Sequence, residues 1–348
     1  MPETLPRQAG PILDLISQAN RIVLTTHHKP DGDAIGSLLG MYLLLQKMGH
    51  EAQAIVPSAC PSFLEWLPAT DALLNAEDHP DEAQAKIAGS DLLVALDYSQ
   101  WERTRHLQET LDCFTGPTVV IDHHRNPAGV FSCSYWDDTA CATCQLVFEW
   151  LMEVHGAAYL DDDIATLLYT GIVTDSGGFR FASVTPATHH AAGALVERGA
   201  RPEIIQSQIF ERNRVQRLRF WGYSLDRRMT LMDDLPVAYM ILSEADIRRY
   251  GLVEGDTEGL VNEPLTIEGI QLSATLREDA EEGVVKISMR SKGQLPVNEL
   301  SSRYFTGGGH KNAAGGRLSA PLAEAEARFL EAVRAFMQTE WSTDHSPS

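Results

Sequence analysis

Short apolar runs alternate with stretches of helical periodicity through the first half of the chain. "RIVLTT", "EAQAIV", "DLLVALD" and "PTVVID" have the length of buried strands, whereas "AIGSLLGMYLLLQKMGH" and "ACATCQLVFEWLMEVHG" repeat apolar residues at helical spacing. Alternation of this kind predicts an α/β domain, with a mostly parallel sheet covered by helices on both faces. From about Asp161 to Asp226 the pattern is almost wholly helical, including "PATHHAAGALVERGA" and "RPEIIQSQIFERNRVQRLRFWGYSL". The texture then changes to strand pairs and short helices, in "RRMTLM", "VAYMIL", "IQLSATLRE" and "GVVKISMRS". The expected organisation is an α/β domain over 1–190, a helical connector over 191–228, a smaller α+β domain over 229–340 and a disordered tail over 341–348.

Composition fits this division. A chain of 348 residues has room for two cores. Its 44% hydrophobic and 22% charged content is that of an ordinary globular protein. It contains no apolar run of the ~18 residues that a membrane span needs, and "MPETLPRQAGPILDL" lacks the form of a signal peptide. Five cysteines, an odd number widely spread, argue against a disulfide framework and for a reducing compartment, so the expected location is the cytoplasm. The net charge of -20 repels long nucleic acid, so a phosphorylated substrate should be small. Some of that charge can be local, gathered around divalent cations.

In a parallel α/β sheet, ligands collect where strands run into the following loops. His27, Asp31 and Asp33 follow "RIVLTT", Asp97 ends "DLLVALD", Asp122, His123 and His124 end "PTVVID", and Asp175 closes the helical "ATLLYTGIVTD". Taken singly, each has an ordinary structural role open to it. Asp97 can cap a helix, Asp31 and Asp33 can shape a turn with Gly32, the histidine pair can be satisfied at a strand end, and Asp175 can terminate a helix. Independent caps and turns, however, have no reason to bring carboxylates and imidazoles from several strands to one sheet edge. An Asp/His set without thiolate suits Mn²⁺ or Mg²⁺, with Zn²⁺ and Co²⁺ also within range. Five or more ligands exceed what one tetrahedral ion takes. Two ions ~3.5–4 Å apart, joined by a carboxylate, are the arrangement used for phosphoester hydrolysis.

These segments resemble the motifs of the DHH phosphoesterases, specifically the two-domain DHH–DHHA1 branch that includes RecJ-like exonucleases and nanoRNases. "HHKPDGDAIGS", "LDYS", "IDHH" and "YTGIVTDSGGF" match the catalytic domain's motifs in family order, and "FTGGGHKNAAGG" matches the signature of the C-terminal domain. The resemblance implies that His27 and Asp31 bind one metal, that Asp33, His123 and Asp175 bind the other, and that Asp97 bridges them. His124 would then contact the scissile phosphate, with Asp122 orienting the histidine pair. His28 occupies a variable position and is read as a bystander. Pro30 and Gly32 shape the turn, and the small residues of "AIGS" are expected to let it lie close to the sheet.

In the second domain, Gly307, Gly308, Gly309 and His310 precede the helix-like "KNAAGG". Glycine backbone amides there can approach an anion closely. With the resemblance, this becomes a phosphate or nucleotide clamp helped by Arg290 and Ser291, and more remotely by Arg277 and Arg303. The implied activity is two-metal hydrolysis of short oligonucleotides to mononucleotides, with 3′-phosphoadenosine 5′-phosphate as a further substrate. The ions are expected to be Mn²⁺, with Mg²⁺ or Co²⁺ as alternatives. A cyclic dinucleotide phosphodiesterase of the c-di-AMP type would share every ligand, and a non-catalytic nucleotide sensor would share the scaffold. The expected partners are small nucleotides and a second copy of the chain, not long duplexes or membranes. "CATC" at 141–144, the aromatics Phe148, Trp150, Phe220 and Trp221, and the pair His189 and His190 are read as packing or surface residues.

Overall fold

Six strands form the sheet of the N-terminal unit: β1 (Arg21–Thr25), β2 (Glu51–Val56), β3 (Leu74–Asn75), β4 (Leu92–Leu96), β5 (Thr118–Asp122) and β6 (Cys133–Trp136). Their order is β3-β2-β1-β4-β5-β6, and every neighbouring pair is parallel. The computed structural model describes residues 5–125, 127, 131–253 and 255–341. The chain divides into two units, Met1–Arg212 and Asn213–Ser348, so the division falls inside the stretch expected as a connector. The expected tail lies outside the described residues beyond Trp341.

The helices of the first unit are α1 (Ala9–Gln18), α2 (Gly32–Lys47), α3 (Pro80–Ala88), α4 (Gln108–Asp112), α5 (Thr143–His155), α6 (Asp162–Asp175), α7 (Pro186–Glu197) and α8 (Pro202–Phe210). All five residues of β4 are buried. Leu92, Val94 and Leu96 join a large cluster with residues of α1, α2, α5 and α6, while Leu93 joins Ala83, Ile87 and Leu111 from α3 and α4. The continuous apolar run is thus the signature of a strand covered on both faces. Burying each such leucine contributes roughly 1.5–3 kcal/mol.

Strand order reverses between β1 and β4, the topological switch point at which doubly wound sheets open a crevice. The small residues at the start of α2 are expected to let the turn lie close to the sheet; the glycines of α2 instead face a helix. A Cβ at Gly36 would lie 2.5 Å from Leu167 O of α6, and one at Gly40 2.9 Å from the Leu168 side chain. Spaced four apart, these glycines share one face of α2 and admit α6 at close range. In return, a Cβ at Gly171 of α6 would lie 2.2 Å from Cys144 Sγ and 2.7 Å from Asp33 Oδ1.

The second unit carries α9 (Val215–Tyr223), α10 (Glu244–Tyr250), α11 (Val297–Tyr304) and α12 (Leu322–Phe336) around a mixed sheet. Its strands are β7 (Met229–Leu231), β8 (Val237–Leu242), β9 (Leu272–Asp279), β10 (Val284–Ser291), β11 (Gly308–His310) and β12 (Ala313–Leu318), in the order β11-β12-β10-β9-β8-β7. Only β8 and β9 are parallel. Burial alternates along β10, placing Val285, Ile287 and Met289 in one core with Phe329, Val333 and Phe336 of α12. Asp246 anchors the start of α10: it accepts from Ser243 Oγ, Tyr223 OH and Arg228 Nη2, each at 2.8 Å. Burial opposes its charge, but these donors hold its carboxyl at about 2.

"KNAAGG" is not helical. Residues 313–318 form β12, paired with both β10 and β11. The glycines answer to this pairing: a Cβ at Gly307 would lie 2.0 Å from Gly315 O, and one at Gly309, where φ is +142°, 2.5 Å from Ala313 O. Among the described residues, no helix is long and apolar enough to cross a membrane.

Candidate metal centre

Four segments bring their acidic and imidazole groups to the carboxyl edge of the first sheet. The loop after β1 supplies His27 and Asp31 and the first turn of α2 supplies Asp33, the end of β4 supplies Asp97, the end of β5 supplies Asp122, His123 and His124, and the last residue of α6 is Asp175. Three overlapping donor groups result: His27, Asp31 and Asp97; Asp33, His123 and Asp175; and Asp97, His123 and His124. Within each, the donor atoms all lie within 4.8 Å of one another.

Asp97 lies at the junction. It is 1% exposed, its Oδ2 lies 3.3 Å from His27 Nε2, and its Oδ1 lies 3.6 Å from both His123 Nε2 and His124 Nδ1. Its backbone is left-handed, with φ +66°, a region that Asp and Asn tolerate better than other non-glycine residues. The turn is pinned from both sides, by Asp97 N–H donating to Ile121 O at 3.1 Å and by Arg103 Nη1 donating to Asp97 O at 3.3 Å. Asp97 does not cap the following helical segment, whose N-cap position is Gln100. Asp31, by contrast, is both a member of the cluster and the N-cap of α2, accepting from Asp33 N at 3.0 Å and Ala34 N at 3.1 Å.

His123 Nε2 approaches Asp175 Oδ2 at 3.2 Å and Asp33 Oδ2 at 3.8 Å, while its Nδ1 faces Ala140 O at 3.2 Å. An Nδ1–H donated to that carbonyl leaves the Nε2 lone pair available to a cation. His124 Nδ1 donates to Asp122 Oδ1 at 2.8 Å. His28 turns to other partners, 3.5 Å from Glu77 and edge-on to His106.

The electrostatics are those of crowded charge in a poorly solvated site. Burial, Asp97 and Asp175 push Asp33 well above the usual carboxylate range, with His123 opposing. Close packing of the protein around its carboxyl, together with Asp97 and Asp175, pushes Asp31 up to about 6, although one side of the residue reaches solvent. Burial opposes charge on Asp97 and Asp122 too, but the imidazoles hold both below the usual range. Burial likewise disfavours charged His27 and His123, yet the adjacent carboxylates raise both above 6.5. His27 Nε2 is buried without a hydrogen-bond partner, 3.3 Å from Asp97 Oδ2. An orphaned buried nitrogen among oxygen donors fits a cation better than a solvent-filled cleft.

Two contributors are not legible as motif residues. Thr143, the first residue of α5, donates to Asp97 and, through its backbone, to Asp33. Arg103 holds the Asp97 turn and accepts His28 N–H at its carbonyl. A hydroxyl residue at a helix start is the signal for the first; nothing in the sequence marks the second. Cys141 and Cys144 are free thiols buried beside the cluster, and Phe148, Trp150 and Phe220 are core residues. His189 is exposed and stacks on Phe179.

In the second unit, Ser291 Oγ donates to Leu295 O at 2.6 Å and accepts from Asn312 Nδ2 at 2.9 Å. Arg290 donates to Met289 O at 2.9 Å, and burial lowers its pKa. Arg303 pairs with Glu299, and Arg277 lies 3.9 Å from Asp279. Gly308, Gly309 and the backbone of His310 form β11; the His310 side chain lies outside the described groups.

Comparison with known proteins follows the same division. The family model for the DHH family, N-terminal domain, matches residues 21–172, and that for the DHHA1 domain matches residues 235–339. The "Bifunctional oligoribonuclease and PAP phosphatase NrnA" of Thermus thermophilus is 33% identical over 90% of this chain and 89% of its own length. The "Cyclic-di-AMP phosphodiesterase PdeA" of Listeria monocytogenes is 27% identical over 94% of this chain but only 49% of its own. Among solved structures, an exopolyphosphatase-related protein from Bacteroides fragilis superposes with TM-score 0.92 at 31% identity, covering 95% of this chain and 96% of that one.

Proposed function

The chain belongs to the DHH family, with a DHH domain followed by a DHHA1 domain, and from that premise we propose that it is a metal-dependent phosphodiesterase hydrolysing short oligonucleotides to mononucleotides. 3′-Phosphoadenosine 5′-phosphate is its further substrate in this reading. The observation that carries it is the set of three overlapping donor groups meeting at Asp97 and His123. The relative at 33% identity, named as an oligoribonuclease and PAP phosphatase, matches over nearly its whole length and so supports the substrate class. PdeA, by contrast, is half accounted for by this chain.

In this proposal His27 and Asp31 hold one divalent ion, Asp33, His123 and Asp175 hold the other, and Asp97 serves both. Mn²⁺ is the expected ion, since the donors are carboxylate and imidazole without thiolate. When bound, the ions supply positive charge for the phosphoryl oxygens and lower the pKa of the water nucleophile. The protein's own groups do the rest. Ala140 O and Asp122 fix the imidazole orientations of His123 and His124, the latter presented to the scissile phosphate. Arg103 keeps the Asp97 turn in its left-handed form. Gly307, Gly308, Gly309, His310, Arg290 and Ser291 are assigned to nucleotide binding in the second unit.

The test is hydrolysis with Mn²⁺ of a panel containing a dinucleotide, a long RNA, 3′-phosphoadenosine 5′-phosphate and a cyclic dinucleotide. The dinucleotide should turn over fastest. Equal or faster cleavage of the long strand would refute the size limit, and preference for the cyclic substrate would move the assignment to the c-di-AMP class. Asp97→Ala should abolish turnover and weaken binding of both ions; an active Asp97→Ala protein, or activity insensitive to chelator, would overturn the metal assignment.

A further inference from the structure

Asp33 stands in the first turn of α2 and Asp97 just past the end of β4, and their charges repel. What joins them is the amino end of α5. Thr143 is fully buried; its backbone N–H donates to Asp33 Oδ2 at 2.6 Å, and its Oγ1 donates to Asp97 Oδ1 at 2.9 Å. The next amide, Cys144 N–H, donates to the other Asp33 oxygen at 2.8 Å. Asp33 is therefore gripped at both oxygens by the first turn of a helix, where backbone donors have no intrahelical partner. The hydroxyl on Asp97 faces competition: His123 and His124 each place a nitrogen 3.6 Å from the same Oδ1. Thr143 Oγ1, at 2.9 Å, holds that oxygen more closely than either imidazole does.

We propose that Thr143 is a positioning residue that fixes the Asp33 and Asp97 carboxylates relative to each other before any ion binds, and thereby couples the two metal subsites. This rests on the two-metal reading above. Thr143 touches neither ion nor substrate in this scheme; it acts through the carboxylates. Partners of this kind are worth about 10–100-fold in metal affinity. The hydroxyl, not the size of the side chain, is the operative part, which separates it from packing.

Metal-free wild type, Thr143→Val, Thr143→Ser and Leu151→Ala proteins are titrated with Mn²⁺ by calorimetry, with turnover measured against Mn²⁺ concentration. Thr143→Val keeps the shape and both backbone donors but loses the hydroxyl; its Mn²⁺ affinity should fall about 10–100-fold, with kcat largely restored at saturating Mn²⁺. Thr143→Ser should stay within about threefold of wild type. Leu151→Ala removes a fully buried side chain further along α5 and leaves all three donors, so it should lower thermal stability without lowering Mn²⁺ affinity. Wild-type affinity in Thr143→Val, or equal impairment of Thr143→Val and Thr143→Ser, overturns the proposal. Should the valine variant not fold, Thr143→Ala provides the same comparison without a methyl against Asp97. Failure of the wild type itself to bind Mn²⁺ would instead overturn the two-metal reading, so the two failures are distinct.

Discussion

Replacing Gly171 by alanine tests whether the donor cluster depends on the close crossing of α2, α5 and α6. The added Cβ would lie 2.2 Å from Cys144 Sγ, 2.9 Å from its Cβ and 2.7 Å from Asp33 Oδ1. Alanine gains ~1 kcal/mol over glycine in helix propensity, while overpacking a dense core costs on the order of 1–3 kcal/mol. Cys144 is fully buried in the first turn of α5, and its Sγ is tied to Asp33 O at 3.5 Å. That puts the cost at the upper end of the range and the net loss at about 2 kcal/mol. With a urea slope of about 2 kcal/mol per M, the unfolding midpoint should drop by about 1 M. The double variant Gly171→Ala/Cys144→Ala separates the two contacts. Removing Sγ relieves the first, so stability recovers in part; the Cβ still presses on Asp33, so Mn²⁺ affinity stays low. A Gly171→Ala protein with an unchanged midpoint and unchanged Mn²⁺ affinity would refute the argument from close approach.

Three further outcomes rest on the same geometry. Because His27 and His123 are held above 6.5 and Asp31 sits at about 6 in the metal-free site, Mn²⁺ must displace protons at neutral pH. Its affinity should fall as pH is lowered through these values, and the calorimetric binding enthalpy should vary with the ionisation enthalpy of the buffer; identical enthalpies in two buffers would count against it. In the second unit, the depression of Asp246 from 3.8 to about 2 is worth on the order of 2 kcal/mol. A depressed carboxyl contributes fully above its unfolded value and loses that contribution as pH falls, here between 3.8 and about 2. Asp246→Asn should therefore destabilise the protein at neutral pH and narrow its deficit near the acid end; a deficit constant with pH would exclude this origin. Gly307→Ala places a Cβ 2.0 Å from Gly315 O, so it should part β11 from β12 and raise KM for a dinucleotide about tenfold while leaving Mn²⁺ affinity unchanged. Weakened Mn²⁺ binding would show that the damage reaches beyond nucleotide recognition.

The sheet edge was legible in the sequence because fully buried strands such as "DLLVAL" and "PTVVI" are unmistakable, and the loops that leave parallel strands by their carboxyl ends all gather at one edge. β3, two residues long, and β6, "CSYW", are too short to carry a period. The helix-like reading of "KNAAGG" failed for a different reason. Alanine and glycine carry no alternating pattern, and the strand exists because β10 and β11 pair with it on either side. The close crossing of α2 and α6 is written in Gly32, Gly36 and Gly40, but which surface those glycines face is a tertiary fact. Thr143 is missed for the same cause: a threonine that starts a helix is common, and only the fold shows two carboxylates within its reach.

The left-handed backbone at Asp97 also bears on how such a site can change over generations. Glutamate preserves the charge but is poorly suited to that conformation, and its longer stem would carry the carboxylate past Thr143. Asparagine preserves the conformation, and its side-chain carbonyl can still accept the Thr143 hydroxyl, but it gives up the charge on which the proposed metal binding rests. The easiest inheritable step away from Asp97 thus silences the chemistry while sparing the scaffold. A descendant that took it would keep both folded units, and if the second binds nucleotides as proposed, a passage from catalyst to receptor lies open.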